Sequence, residues 1–183
     1  MTSVIALSGW ARTGKDTIAD YLVEQHGYRK ISFATPMREA LYRLNPLVNT
    51  IEGDTVPLSQ IVNISGWEIA KEITPDLRGL MQRLGTEVGR EMFGDDFWVN
   101  IAFSQIKPGE KVVLADCRYQ NEANATATNG GQVWRVERPG FGPANSHESE
   151  RDLDNYAFSH VFSNDTGIEN LNAQVEEYLN ANI

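Results

Sequence analysis

The chain has a single cysteine, Cys117, among 183 residues, so no internal disulfide can form. Its three histidines, His26, His147 and His160, stand far apart, and no Cys/His cluster has the spacing of a metal site. Positive charge is scarce: 16 Lys and Arg against 25 Asp and Glu give a formal net charge of −9. That balance argues against a broad basic footprint for nucleic acid and leaves room only for a local basic pocket that takes small phosphates. No apolar run approaches the length of a membrane span; the first, at residues 4–7, is far too short. There is no internal repeat and no low-complexity tract. With one cysteine and no signal peptide, the expectation is a cytoplasmic protein built as a single domain, 1–183, large enough for a real core.

What is present is led by Gly9-Trp10-Ala11-Arg12-Thr13-Gly14-Lys15-Asp16-Thr17, which follows an apolar run and precedes an amphipathic helix pattern. Glycine, four residues, then Gly-Lys between a strand and a helix is the phosphate-binding loop. The glycines let the backbone approach closely, and N–H groups and the helix N-terminus supply partial positive charge. Lys15 would reach the β- and γ-phosphates. An ordinary glycine turn would leave that lysine unexplained. The loop departs from the usual pattern in one place: Asp16 stands where Ser or Thr normally supplies a hydroxyl to Mg²⁺, and the hydroxyl comes one place later, at Thr17. A carboxylate beside a triphosphate becomes favourable when Mg²⁺ lies between them. Asp16 is therefore read as a metal-side residue and Thr17 as a phosphate contact. The plainer alternative for Asp16 is an acid favoured by the helix dipole in a first turn.

Apolar, β-rich runs alternate with helical patterns, which predicts an α/β fold with a five-stranded parallel sheet. Strands are expected at residues 4–7, 29–33, 112–115, 133–136 and 160–163. A first helix is expected over 15–26 with Gly27 as its stop, and a second from near Pro36. Residues 46–66, with Pro46, Gly53, Pro57 and Gly66, read as irregular. Thr74-Pro75 reads as the cap and first position of a long helix ending at Gly94, followed by a helix containing Phe97 and Ile101. A short helix from Asn121, a loop over 138–150 and a final helix from Ile168 complete a three-layer phosphate-loop domain flanked by helices.

Other residues gather at strand ends. Asp116 closes an apolar strand, where an acid can hold Mg²⁺ through a water; a turn-forming Asp is the alternative. Arg118, Asn121 and Glu122 lie just beyond it, with a fork suited to phosphate and polar groups suited to hydroxyls or base edges. For Asn121, helix capping is an equal reading, with Glu122 then a solvated side chain. Phe33 and Arg38 follow another strand end. A cation in the first turn of a helix, as Arg38 would be, calls for an anionic partner. Gly85 and Gly89 sit four apart in a helical stretch with Gln82, Thr86, Glu87 and Arg90 beside them. Each glycine costs about 1 kcal/mol there, which implies close approach by a ligand or by another backbone. Arg135 and Arg138 flank a Gly/Pro-rich loop of the kind that closes over phosphates.

Gly-Lys-Asp-Thr in the loop, Phe33-Ala34-x-Pro36, Leu84-Gly85-Thr86-Glu87 with Gly89-Arg90 and Trp98, Asp116-x-Arg118-x-x-Asn121-Glu122, and His147-x-Ser149-Glu150 together resemble the bacteriophage deoxynucleoside monophosphate kinases. The resemblance spans nearly the whole chain. It implies a nucleoside monophosphate kinase fold, MgATP as donor and a deoxynucleoside 5′-monophosphate as acceptor. Gly9, Arg12, Thr13, Gly14, Lys15, Asp16 and Thr17 would hold ATP, and Asp16 and Asp116 the metal. Phe33, Arg38, Gln82, Thr86, Glu87, Arg90, Trp98, Asp116, Arg118, Asn121 and Glu122 would serve the acceptor, from a helical insert at about 36–106 and the strand ends. Arg135 and Arg138 would act from a lid-like segment at about 138–155, with Arg138 and Arg118 joining Lys15 and Asp16 in catalysis. A phage-encoded chain of this kind would work in the host cytoplasm, without nucleic-acid or membrane partners, and a homodimer is left open. The acceptor phosphate is already nucleophilic, so no catalytic His or Cys is expected. Two other readings stand beside this one: a small-molecule kinase of the phosphomevalonate or dephospho-coenzyme A type, and a non-catalytic ATP-binding module.

Overall fold

The computed structural model describes residues 2–143 and 148–182. The expectations for Ser146 and His147 fall outside them. The described chain divides into two compact units, residues 34–101 and the remainder.

The larger unit is an open parallel sheet. Its strands are β1 (Ser3–Ser8), β2 (Arg29–Ile31), β5 (Lys111–Leu114), β6 (Gln132–Glu137) and β7 (His160–Ser163), in the spatial order β2-β5-β1-β6-β7. All four pairings are parallel. The central strands β1 and β5 read as near-continuous apolar runs because helices cover both faces, and residues 4–7 are essentially inaccessible, whereas the edge strand β2 is Arg-Lys-Ile and largely exposed. Helix α1 (Lys15–His26) and helix α8 (Ile168–Asn182) cover one face. There Ile18, Ala19 and Leu22 pack with Leu171, Val175 and Leu179 on Ile5, Leu7, Val113, Trp134, Val136 and Phe162. Val4 and Ala6 have the opposite parity and point to the other face, on the side of α7 (Gln120–Thr128), which packs on β1 and β6. Gly27 ends α1 in the left-handed region and its N–H closes on the Leu22 carbonyl, as its position after the last apolar residue predicts. No helix among the described residues is long and apolar enough to cross a membrane.

The smaller unit contains α2 (Thr35–Leu44), β3 (Leu47–Asn49), β4 (Thr55–Pro57), α3 (Leu58–Ile73), α4 (Leu77–Arg83), a π-helical stretch Leu84–Arg90, and α5 (Glu91–Phe93). The chain leaves it through α6 (Phe97–Ser104). Leu41, Val48, Leu58, Ile61, Ala70 and Leu77 form its core.

The irregular segment expected at 46–66 is corrected here. It holds an antiparallel hairpin, β3 on β4, and the first half of α3. Gly53 (φ +94°) belongs to the hairpin turn, which is closed by Thr50 and Asp54 bonding across it at 2.8 Å. Pro57 precedes α3, whose first N–H groups are taken by the Pro46 carbonyl at 2.9 Å and the Asn45 side chain at 2.8 Å. Proline and glycine thus punctuate short elements instead of abolishing them. Thr74-Pro75 is a second correction. Thr74 ends α3, its hydroxyl is buried without a partner among the described residues, and α4 starts at Leu77 on the Thr74 carbonyl.

Candidate active site

The phosphate loop runs from the C-terminal end of the central strand β1 into α1. Gly9 (φ +139°) and Gly14 (φ +113°) both lie in the left-handed region. A Cβ on Gly9 would stand 2.4 Å from the Val136 carbonyl oxygen, and one on Gly14 would stand 2.8 Å from Asn164 Nδ2. Neither position admits a side chain, so the backbone is pressed against β6 and the loop after β7. Thr13 is wholly buried; its hydroxyl donates to the Trp10 carbonyl at 3.0 Å and its carbonyl accepts from Asn164 at 2.8 Å. Thr13 therefore fixes the loop's shape and offers a ligand only its backbone.

Lys15 is the chemical centre. Its Nζ donates to the carbonyls of Gly9 (2.7 Å) and Trp10 (2.6 Å), and only 9 % of the residue is exposed. Burial, then the nearby Arg118 guanidinium, lowers its pKa from 10.5 to about 8; the carboxylates of Asp16, Glu150 and Asp116 pull the other way. A buried ammonium held only by neutral carbonyls is a group whose charge would be better compensated by an anion.

A cleft of about 330 Å³ opens beside it, lined by Arg12, Lys15, Asp16, Thr17, Arg138 and the backbone of Gly14, together with Asn164, Gly167 and Ile168. Asn164, Gly167 and Ile168 escaped the sequence reading; the usable signal was their place just past the end of a parallel strand, where ligands gather. Arg138 donates to the Arg12 carbonyl at 3.4 Å and lies over Phe141 at 4.7 Å. Arg135 sits in the expected strand. It is the fourth residue of β6, buried, with its guanidinium 4.9 Å from the Trp10 ring and 5.3 Å from Phe158, and Nε bonded to Glu137. It belongs to the sheet and braces Trp10 of the loop.

Asp16 is exposed at the start of α1 and shares Lys30 with Asp20, each at 2.9 Å. That sharing, together with burial that opposes it, leaves the Lys30 pKa raised. Asp116 accepts from the Ser32 hydroxyl and from the Phe33 N–H at 2.8 Å, joining the end of β5 to the end of β2. Phe33 itself is buried against Phe103. Among the described residues no three His, Cys, Asp or Glu side chains gather as a metal cage.

Arg118 follows Asp116 and pairs through Nη1 with Glu150. Glu122 is buried, and its carboxylate accepts from the N–H groups of Arg118 (2.7 Å) and Tyr119 (3.1 Å). Glu122 thus caps α7 and sets the path of the chain at Arg118, and it is not the solvated acid that the sequence allowed as an alternative. The Asn121 side chain bonds to the Glu122 N–H at 3.0 Å. Cys117 is buried, which pushes its thiol pKa well up and keeps it protonated.

In the smaller unit Gly89 is explained by a tryptophan, while a Cβ on Gly85 would stand 3.0 Å from Met37 Sδ. The Trp98 indole N–H donates to the Gly85 carbonyl at 2.9 Å, and a Cβ on Gly89 would fall 2.1 Å from Trp98 Nε1. The π-helical widening over Leu84–Arg90, with Glu91 bonded back to Thr86, accompanies that contact. Gln82 and Glu87 are exposed on this stretch, while Thr86 and Arg90 are half-buried. Arg38 is half-buried on α2, with Nη2 3.9 Å from Glu68 and Nε unpartnered among the described residues.

The sequence model of the family Deoxynucleotide monophosphate kinase matches residues 48–175. Among curated relatives, a protein of Acanthamoeba polyphaga mimivirus assigned as a deoxynucleotide monophosphate kinase is 27 % identical over 180 residues, covering 94 % of this chain and 93 % of its own. The deoxynucleotide monophosphate kinase of Escherichia phage RB69 is 24 % identical, covering 96 % and 99 %. Shikimate kinase from Aquifex aeolicus superposes over 98 % of this chain and 97 % of its own with a TM-score of 0.46 at 12 % identity, a likeness too distant to argue from.

Proposed function

The chain belongs to the deoxynucleotide monophosphate kinase family, and from that premise we propose that it transfers the γ-phosphoryl of MgATP to a deoxynucleoside 5′-monophosphate, giving the diphosphate and ADP. The observation that carries this reading is the Lys15 ammonium, held inside a loop whose glycines take positive φ and opening onto a cleft walled by Arg12 and Arg138. The loop N–H groups and the start of α1 receive the donor's phosphates, and Lys15 exchanges two carbonyls for charged oxygens. The donor's nucleoside lies toward Asn164, Gly167 and Ile168.

The acceptor phosphate is ionised at neutral pH, so transfer needs alignment and charge neutralisation and no strong base. Arg118 meets the phosphoryl in flight, and Glu122 fixes the chain that carries it. Acceptor-side roles for Arg38, Gln82, Thr86, Glu87 and Arg90 follow from the resemblance; each is tested by a rise in acceptor KM on substitution. Trp98 and the glycines at 85 and 89 form the packing that shapes that helix.

The residues present fit a magnesium ion that arrives with the nucleotide. Thr17, Asp16 and Asp116 are oxygen donors too few and too dispersed for a protein cage, which matches an ion that keeps several waters and leans on phosphate oxygens. When bound, it would neutralise charge on the donor phosphates.

The test is ADP release from MgATP with each standard deoxynucleoside monophosphate and its ribonucleotide counterpart. Acceptor-dependent release with a deoxynucleotide is expected. Silence across the panel in a protein that binds ATP would overturn the proposal and turn attention to another acceptor or to a binding module.

A further inference from the structure

The motif ending in Ser149-Glu150 has no role in the mechanism above. In the structure Glu150 joins two parts of the site through two different groups. Its carboxylate takes the Nη1 edge of Arg118. Its main-chain carbonyl accepts the indole N–H of Trp10 at 3.2 Å. Trp10 lies in the phosphate loop, and its own carbonyl holds Lys15 Nζ at 2.6 Å. The Glu150 side chain is 8 % exposed and that of Arg118 37 %, so a buried carboxylate fixes one edge of a more open guanidinium. Nε and Nη2 of Arg118 have no bonded partner among the described residues. An arginine held by one edge loses the rotamer freedom that otherwise weakens its grip on phosphate.

We infer that Glu150 is a positioning residue for phosphoryl transfer: it holds Arg118 by one edge so that the other edge is presented to the phosphate, and it ties that orientation to the phosphate loop through Trp10. The inference rests on the kinase reading of this same site. It carries a second consequence. Glu150 has the same sign of charge as the substrate's phosphates and is bonded both to Arg118 and to the phosphate loop at Trp10, whose carbonyl holds Lys15. It therefore weakens ground-state binding of anions while improving alignment in the transition state, a separation that moves kcat and affinity in opposite directions. A residue that only supported the fold would move them together.

The experiment uses Glu150→Ala and Glu150→Gln in the full chain. Turnover with MgATP and the preferred deoxynucleotide is measured beside calorimetric titration with ATP alone, and unfolding temperature checks the fold. Glu150→Ala is expected to lose roughly ten- to hundredfold in kcat, the scale of a lost charged hydrogen bond. ATP should bind about threefold tighter or more, as removal of a like charge predicts. Glu150→Gln should recover part of the rate, because its amide oxygen still accepts from Nη1, and it carries the test should the alanine variant fail to fold. In an Arg118→Met background, Glu150→Gln should change kcat no further. Unchanged kcat in the folded variants, or lost turnover with unchanged or weaker ATP binding, would overturn the inference. A wild-type protein that binds ATP without acceptor-dependent turnover would overturn the kinase reading, and this inference with it, whereas wild-type turnover with unchanged kcat in the variants would overturn this inference alone.

Discussion

Lys15 should make the protein less stable for the sake of its site, and the cost should depend on pH in a calculable way. Its ammonium titrates at about 8 in the folded chain against 10.5 ordinarily, mainly because it is buried. Holding the charged form in the fold therefore costs about 3 kcal/mol. Below pH 8 the lysine is charged in both the folded and the unfolded chain, and the full cost applies. Between about 8 and 10.5 the unfolded chain binds the proton and the folded chain does not, so stability contributed through this group rises with pH. Lys15→Met removes the group. Its unfolding temperature relative to wild type should be higher at pH 7 than at pH 10 by roughly 5–10 °C for a chain of this size. Comparing the two proteins at each pH cancels the titration of residues not coupled to Lys15, and taking the difference between the two pH values removes the constant cost of the two carbonyl hydrogen bonds lost in the variant. The assay is thermal unfolding by circular dichroism. A difference between variant and wild type that stays constant from pH 7 to 10 would refute the reasoning. The same lysine sets the kinetic profile: kcat/KM for ATP should fall above pH 8, because the ammonium is the form that meets phosphate, while kcat at saturation should break at higher pH because bound anions restore the charge.

Three further predictions concern packing, metal and donor. Gly89→Ala forces a methyl into the Trp98 indole and should destabilise by about 1–3 kcal/mol. Gly79→Ala, with open space around it, should stabilise by up to about 1 kcal/mol; denaturant unfolding separates the two, and equal effects would discredit the Trp98 contact. Asp16→Asn should raise the Mg²⁺ concentration needed for half-maximal turnover while leaving the fold intact, and an unchanged Mg²⁺ dependence would remove Asp16 from the metal side. Arg138→Met should raise the KM for ATP roughly tenfold, on the scale of one charged hydrogen bond, with acceptor KM unchanged; an effect on the acceptor alone would misplace Arg138.

The sheet was legible because a parallel strand covered on both faces must be apolar throughout, as β1 and β5 are, while the edge strands β2 and β7 showed only as short β-rich stretches between turn signals. The phosphate loop was legible because its glycines and lysine are fixed by backbone geometry within one short stretch. Helix α1 and its end at Gly27 were local signals of the same kind. Residues 46–66 misled for a physical reason: the caps of α3 come from Asn45 and Pro46, across the hairpin, and Gly66 (φ +74°) breaks the helical period from inside. Gly85 and Gly89 announced a close approach but could not name Trp98, whose contact crosses a change of direction in the chain. Arg135 read as a lid residue because sequence distance from the Gly/Pro loop is small; strand alternation turns it inward onto Trp10. Glu122 fits a capping pattern that becomes visible only when the start of α7 is known.

The most direct test of the central claim is to follow the label of γ-³²P ATP. Incubation with each deoxynucleoside monophosphate, in the wild-type protein and in Lys15→Met, is resolved by chromatography of the products. Label is expected in a deoxynucleoside diphosphate for the wild type, with a loss of at least about a hundredfold in the variant, on the scale of electrostatic stabilisation in phosphoryl transfer. Label released only as free phosphate, or transfer that survives without Lys15, would contradict it.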